Sequence, residues 1–253
     1  IRLWPGVLIG AFLSNWQVDG ASHLAFQIAI GNTLEAMVAV WLTNRLIARR
    51  YFLNHSRKVF SFTLILLFSC TISALIGSLS VLNWPTETPD LDTFVRVFNT
   101  WWVGDIVGAL VFAPLIMAYS QNYRLFSLSK KELFGFALFS MILLEAIFGG
   151  ISVFDLNSAS FAFLPLPLLV AVGYRLGLRG VVLFTLALSV LAITGTYRGF
   201  GPFVDEAVSQ SLVLLQVYIG LVALSGLLLS SIIAEREAAR SALLRLSGQL
   251  ERR

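Results

Sequence analysis

Uncharged apolar stretches long enough to cross a lipid bilayer recur along this chain. Residues 59–84 and 207–234 contain no Asp, Glu, Lys or Arg at all, and a transmembrane helix needs about 20 predominantly apolar residues. Hydrophobic residues make up 57% of the 253-residue chain and charged residues only 13%, against about a quarter in soluble domains. The sequence therefore predicts an all-α, polytopic transmembrane helix bundle.

Polar residues and Gly or Pro positions divide the apolar sequence into eight predicted spans. They cover residues 3–18, 22–48, 58–84, 92–119, 132–153, 160–176, 179–197 and 207–235. The tight connections at 19–20 and 175–180 predict helical hairpins. Because the chain begins in mid-pattern and without a methionine, we expect an N-terminally truncated domain, with up to ten spans in the full length.

The charge of the connecting loops alternates along the chain. The basic loops lie near residues 45–58, 124–131 and 175–179, and the acidic loops near residues 19, 87–92, 155 and 205–206, with Arg198 as the one exception. The positive-inside rule predicts that the basic loops and the C-terminal tail are cytoplasmic. The net charge of +4 is spread over these short loops, so we expect no nucleic-acid partner.

Two spans carry an acidic residue inside apolar sequence. Glu35 shares a helical face with Gly31 and lies beside Asn32, and Asp105 follows Trp101 by one turn. An acid at membrane depth is costly and must face another helix or a wet cavity. We therefore predict a polar contact between the second and fourth spans, which either binds a ligand or holds the bundle together. The candidate residues for ligand binding or the polar core are Asn32, Glu35, Trp101, Trp102, Asp105, Glu145 and Gln216, and the candidate packing glycines are Gly6, Gly10, Gly31, Gly104 and Gly108.

No catalytic or metal-binding motif is visible in the sequence. His23 and His55 lack a second ligand at metal-binding spacing, and the single cysteine, Cys70, is predicted to be a packing residue. Phosphate-binding loops, nucleophile elbows and zinc-protease helices are absent. The sequence therefore predicts that this chain is not an enzyme, and it assigns no cofactor.

The last span continues beyond its apolar stretch into an amphipathic segment. Four apolar residues follow one another at alternating spacings of four, three and four: Ala239, Leu243, Leu246 and Leu250. This spacing is typical of a short coiled-coil seam, and the alternative is a solvated helix end. We predict a membrane domain at residues 1–235 and a cytoplasmic helical linker at 236–253, which forms a homodimer and leads to an output domain.

Several motifs together resemble the first family of bacterial membrane-associated sensor domains (MASE, type one). They are Gly31-Asn32-Thr33-Leu34-Glu35-Ala36, Trp101-Trp102-x-Gly104-Asp105-x-x-Gly108, Arg175-x-Gly177-Leu178-Arg179-Gly180, Gly195-Thr196-x-Arg198-Gly199 and Ala234-Glu235-Arg236. The resemblance implies a multi-pass input module of the bacterial inner membrane. It also implies fusion to cytoplasmic outputs of cyclic di-GMP or two-component signalling, such as diguanylate cyclases, phosphodiesterases or histidine kinases.

We accordingly expect a sensory domain that relays a stimulus, a small molecule or a membrane protein, through its last helix. A secondary transporter is the first alternative, since intramembrane carboxylates and a weak parallel repeat also occur in transporters. A passive membrane anchor that only dimerises its output domain is the second. The bilayer is a partner in all three cases.

Overall fold

The computed structural model is mostly helical in the residues that it describes, which are 2–19, 22–47, 51–82, 91–121, 123, 129–150, 159–204 and 208–250. Short 3-10 helices lie at Phe52–Asn54 and Ala159–Phe163, and no strand is present in these ranges. The α-helices of this part of the chain are α1 (Trp4–Asp19), α2 (Ser22–Leu46), α3 (Ser56–Leu82), α4 (Leu91–Ser120), α5 (Lys130–Phe148), α6 (Pro165–Tyr197) and α7 (Val208–Leu250).

Five helices are long and apolar enough to cross a membrane, namely α2, α3, α4, α6 and α7. The eight predicted spans are therefore more than the structure shows. The 16 residues of α1 extend only about 24 Å, less than the roughly 30 Å of a bilayer core. The 19-residue α5 carries Lys130, Lys131, Glu132 and Glu145. The predicted spans 160–176 and 179–197 correspond to the two parts of the candidate span Phe161–Tyr197 on either side of Gly177.

A break at Gly177 divides α6 into two arms. Gly177 has φ 61° and ψ −155°, a backbone conformation that is essentially restricted to glycine. A methyl group built on Gly180 would lie 3.1 Å from Val172 Cγ1, and one on Gly173 would lie 3.5 Å from Val181 Cγ2. Residues eight apart in a straight helix would be separated by about 12 Å. The chain therefore folds back at Gly177 as a helical hairpin.

The helices form two compact units. Unit 1 comprises Ile1–Arg50 and Ser61–Ala109, and unit 2 comprises Tyr51–Phe60 and Leu110–Arg253. In unit 1 small residues allow α2 and α3 to approach closely, since a methyl group on Gly31 would lie 3.2 Å from Ile76 Cβ and 3.5 Å from Ser73 Cα. Small residues at helix contacts are typical of membrane bundles.

In unit 2 the α6 hairpin packs against α7. A methyl group on Gly226 of α7 would lie 2.7 Å from Val181 Cγ1 and 3.0 Å from Leu169 Cδ1, so both arms of the hairpin contact this helix. The hydroxyl of Tyr218 on α7 donates a 2.6 Å hydrogen bond to the Ala162 carbonyl. The core of unit 2 is thus centred on α6 and α7.

Candidate functional site

Polar side chains from three helices meet near the helix midpoints within unit 1. Glu35 lies near the middle of the 25-residue α2, and Asp105 near the middle of the 30-residue α4. Cys70 and Ser73 likewise lie near the middle of the 27-residue α3. Each helix is long enough to span the bilayer, so its central residues are expected near the bilayer midplane. We call Asn32, Glu35, Cys70, Ser73 and Asp105 the midplane cluster.

Hydrogen bonds connect the midplane cluster across the three helices. Cys70 Sγ donates to Glu35 Oε1 at 3.2 Å, and Ser73 Oγ donates to Asn32 Oδ1 at 2.8 Å. The Ser73 hydroxyl is also within hydrogen-bonding reach of the Glu35 and Asp105 carboxyl groups, which reach each other as well. The two acids of α2 and α4 therefore meet directly, with α3 supplying the donors.

The midplane cluster has no cationic partner within the described residues. Neither Glu35 nor Asp105 forms an ion pair with a Lys, Arg or His side chain in this part of the chain. Two carboxyl groups in contact repel each other when both are charged, and an uncompensated charge is costly at membrane depth. A shared proton or a small cation removes that repulsion. The arrangement can therefore respond chemically to a change in protonation or in hydrogen bonding.

Both tryptophans before Asp105 pack against α3. The Trp101 ring lies where a Cβ on Gly77 would be, so this contact requires glycine. Trp102 Nε1 donates to the Leu67 carbonyl at 3.0 Å, and its ring stacks on Phe98 with centroids 6.2 Å apart. The two indoles thus fix α4 against α3 beside the midplane cluster.

The remaining predicted polar residues, Glu145 and Gln216, belong to unit 2. The carboxyl group of Glu145 lies against Gly149 at the end of its own helix. Gln216 Oε1 is buried and has no hydrogen-bond partner in the described part of the chain. The structure therefore brings Asn32, Glu35 and Asp105 together, and it places Glu145 and Gln216 in the other unit.

The predicted packing glycines fall into two groups. Gly31 closes on α3, as described above, whereas a Cβ on Gly6, Gly10 or Gly108 would meet no atom of the described residues within 4 Å. Gly104 precedes Asp105 in α4. Among the predicted packing glycines whose surroundings the structure describes, only Gly31 makes a close helix contact.

Sequence reasoning missed the contribution of α3 to this site. Cys70 was expected only to pack, and neither Ser73 nor Gly77 was singled out. The three residues recur at spacings of three and four, which places them on one helical face. This spacing is the signal that could have identified the face of α3 that meets the acids.

A second polar contact joins α7 to the beginning of α3 within unit 2. The backbone N–H and the hydroxyl of Ser56 donate to the two carboxylate oxygens of Glu235 at 3.1 and 3.0 Å. His55 Nδ1 lies 3.6 Å from Glu235 Oε1. Ser56 is the first residue of α3, so Glu235 accepts one of the otherwise unpaired N–H groups of that helix and adds a favourable negative charge. We call this arrangement the Glu235 contact.

The segment that precedes α3 is also tied to the end of α4. The Tyr51 N–H donates to Gln121 Oε1 at 3.2 Å, and the Tyr51 and Tyr123 rings meet edge to face at 5.2 Å. Burial raises the pKa of Tyr123 to about 12, so this phenol stays protonated at neutral pH. Arg179 of α6 donates to the carbonyls of Ala118 and Gln121 at 3.0 and 3.3 Å. Arg179 therefore caps the C-terminal end of α4.

Comparison with known proteins identifies a family for this chain. The MASE1 family model matches residues 1–237, which confirms the resemblance of the motifs. No curated protein and no solved structure matches the chain. MASE1 is a family of membrane-associated sensor domains, sensory and not catalytic, and the five apolar helices agree with a multi-pass membrane protein. The chain belongs to the MASE1 family of membrane-associated sensor domains.

Proposed function

We propose that this chain is the input domain of a bacterial inner-membrane signalling protein and relays a stimulus through α7 to a cytoplasmic output domain. The observation that carries this proposal is the length of α7, a 43-residue helix. It extends about 65 Å, roughly twice the 30 Å of a bilayer core. Its first part packs in unit 2, and residues 236–240 and 242–247 are all exposed. A rigid helix that continues beyond the membrane is suited to transmitting a movement.

The midplane cluster is the part of the domain in which a stimulus would act. Its two acids lack a basic partner within the described residues, so their hydrogen bonds depend on a proton or on a bound group. A stimulus changes an equilibrium only by interacting differently with two arrangements of the protein. A change in protonation or ligation at Glu35 and Asp105 would favour one packing of α2, α3 and α4 over another.

The Glu235 contact supports α7 as the relay. Glu235 comes 27 residues after Val208 in the helix, which corresponds to about 40 Å along its axis. There it is bonded to Ser56, at the start of α3. A shift of α3 would therefore act on α7 at the point where α7 is proposed to enter the cytoplasm.

A dimer formed by the end of α7 would deliver the signal. The proposed seam residues Leu243, Leu246 and Leu250 are 68%, 57% and 74% exposed, and Ala239 precedes them by one turn. Their spacing suits a parallel coiled coil between two copies of this chain. The proposed output domains are diguanylate cyclases, phosphodiesterases or histidine kinases, which the family motifs imply and which a dimer would hold side by side.

The test is the output activity of the full-length protein with Glu35→Gln or Asp105→Asn. Coupling between distant sites typically amounts to about 5- to 150-fold in an equilibrium, so each variant should reduce the stimulated change in activity at least about fivefold. Ser78→Ala is the matched control, because the Ser78 hydroxyl donates to the Ala74 carbonyl of its own helix and to no other group among the described residues. A full response of both acid variants under every inducing condition would contradict the proposed role of the midplane cluster.

A transporter remains the second candidate, and the position of the midplane cluster favours it. Substrate and ion sites of secondary transporters also lie near the bilayer midplane. Proton or substrate flux in proteoliposomes that Asp105→Asn abolishes would replace the sensor proposal. A passive anchor, the third candidate, predicts normal regulation after all spans are replaced by an unrelated dimeric anchor.

A further inference from the structure

An apolar groove in unit 2 lies between α5 and both arms of the α6 hairpin. Its volume is about 190 Å³. The walls include Phe136, Ala137 and Leu144 of α5, and Leu176, Gly180 and Phe184 of α6. The one hydroxyl in the lining belongs to Ser140 and donates to the Phe136 carbonyl at 2.7 Å. The groove therefore offers an apolar surface and no unsatisfied side-chain donor.

The groove has the proportions of a site for a lipid chain. Its lining on α5 runs from Leu133 to Leu144, which corresponds to about 16 Å of helix, or half of a bilayer core. The α5 residues beside it are also exposed, with Phe134 at 69% and Phe139 at 58%. The first half of α5 thus stands clear of the helices of unit 2, and in a membrane this space opens towards lipid.

Basic residues mark one end of the groove. The lining begins at Leu133, directly after Lys130, Lys131 and Glu132, and on α6 it includes Leu176, directly after Arg175. The side chains of Lys131 and Arg175 are exposed. Glu132 is the acid at this end, and its carboxylate accepts a 2.9 Å hydrogen bond from the Ser129 N–H. Among the side chains that the structure describes at this end, two basic residues, Lys131 and Arg175, stand against the one acid Glu132, which gives the groove a positive end.

We propose that the groove binds one anionic phospholipid, with an acyl chain between α5 and α6 and the phosphate-bearing headgroup beside Lys131 and Arg175. The positive charge at the end of the groove selects the anionic headgroup, and the apolar walls bind the acyl chain. This proposal is independent of the sensory role. The bound lipid would touch α6, and a methyl group on Gly173 of α6 would lie 3.2 Å from Leu229 of α7. A lipid bound in the groove would therefore affect how α6 packs against α7.

The test of headgroup selection is native mass spectrometry of the full chain from nanodiscs of equal phosphatidylglycerol and phosphatidylcholine. We expect one retained phosphatidylglycerol molecule per chain. Each basic side chain near a membrane surface contributes about a fivefold factor to anionic lipid binding. Lys131→Gln with Arg175→Gln should therefore weaken the retention about 30-fold. Arg45→Gln, which changes an exposed basic residue in the last turn of α2, should leave it unaltered.

The test of the acyl-chain site is Ala137→Trp, because the larger side chain fills the groove from α5. It should abolish retention of the lipid, whereas Leu138→Trp, on an exposed position of the same helix, should retain it. If Ala137→Trp does not fold, as judged by its helical circular dichroism, the double charge variant decides the question. Equal retention of the two lipids, no retained lipid, or retention unchanged in the charge variant would each overturn the proposal.

Discussion

Gly77 and Trp101 set the distance between α3 and α4 beside the two acids. The indole occupies the position that any side chain on residue 77 would need, so the helices approach as closely as the ring allows. Gly108 lies on α4 as well, but a Cβ there would meet no described atom within 4 Å. Gly77 is therefore needed for the packing of α3 against α4, whereas no such packing requirement is visible at Gly108 among the described residues.

We expect Gly77→Ala to destabilise the protein by about 1–3 kcal/mol, because overpacking forces the Trp101 ring out of its place. Gly108→Ala is the control and should be neutral or slightly stabilising, since alanine favours a helix more than glycine does. Thermal unfolding in detergent measures both. Combining Gly77→Ala with Trp101→Leu should restore part of the loss, and equal stability of the two alanine variants would contradict the contact.

Glu235→Ala should lower the stability by about 1–2 kcal/mol, because it leaves the first N–H group of α3 without its acceptor. For a chain of this size, the expected decrease in Tm is about 2–8 °C. Glu237→Ala is the control, as residue 237 is exposed. A Tm that falls equally in both variants would show that the Glu235 contact does not stabilise the start of α3.

The contact between Glu35 and Asp105 could be expected from the sequence, because an acid within a membrane span must face another helix or a water-filled cavity. The sequence gives much less indication that α3 supplies the hydrogen-bond donors to these acids. Cys70 and Ser73 are small residues that are common in membrane helices as packing groups, and their charge is zero at neutral pH. Their role depends on which helix lies between α2 and α4, and that is a property of the tertiary structure.

At the scale of elements, the hairpin of α6 shows how a single backbone conformation organises a helix. The sequence predicted a tight connection at 175–180, and the break at Gly177 lies within it. The eight predicted spans are more than the five helices that the described residues show to be long and apolar enough to cross a membrane. The first predicted span folds into a helix of 16 residues. The helix at the fifth predicted span, α5, begins two residues earlier and so contains four charged residues.

Gly177→Ala should destabilise the hairpin by about 1–3 kcal/mol, because alanine does not readily adopt φ 61° with ψ −155°. Gly135→Ala in α5, where a Cβ would meet no described atom within 4 Å, is the matched control and should not lower the stability. Chemical unfolding in mixed micelles measures the difference. A Gly177 variant as stable as the control would contradict the fold-back at this residue.

Cysteine substitutions along the end of α7 test the proposed dimer. With Cys70→Ser as the background, Leu243→Cys, Leu246→Cys and Leu250→Cys should cross-link between two copies in membranes, because these positions face the seam of a parallel coiled coil. Leu244→Cys lies off the seam and is the control, although its side chain is equally exposed, at 64%. Cross-linking that is uniform along the helix, or absent, would argue against the coiled coil.

At the scale of the whole molecule, unit 1 contains an acidic site without a basic partner in the described residues, and unit 2 contains the long helix α7 that is proposed to carry the output. The membrane class, the helical fold and the family followed from the sequence, since composition and motifs carry that information directly. The contact of Glu235 with Ser56 spans 179 positions of sequence, and no periodicity indicates such a pairing. The chemistry of the midplane cluster favours the proposed kind of stimulus, one that changes protonation or ligation at Glu35 and Asp105.

The most direct measurement is the cross-linking rate of Leu246→Cys in the full-length protein, compared between Glu35→Gln and the control Ser78→Ala. If the midplane cluster sets the position of α7, Glu35→Gln should change the rate at least about fivefold, the lower range of typical coupling between sites, and Ser78→Ala should not. Equal rates in the background protein and both variants would contradict the coupling of the midplane cluster to the signalling helix.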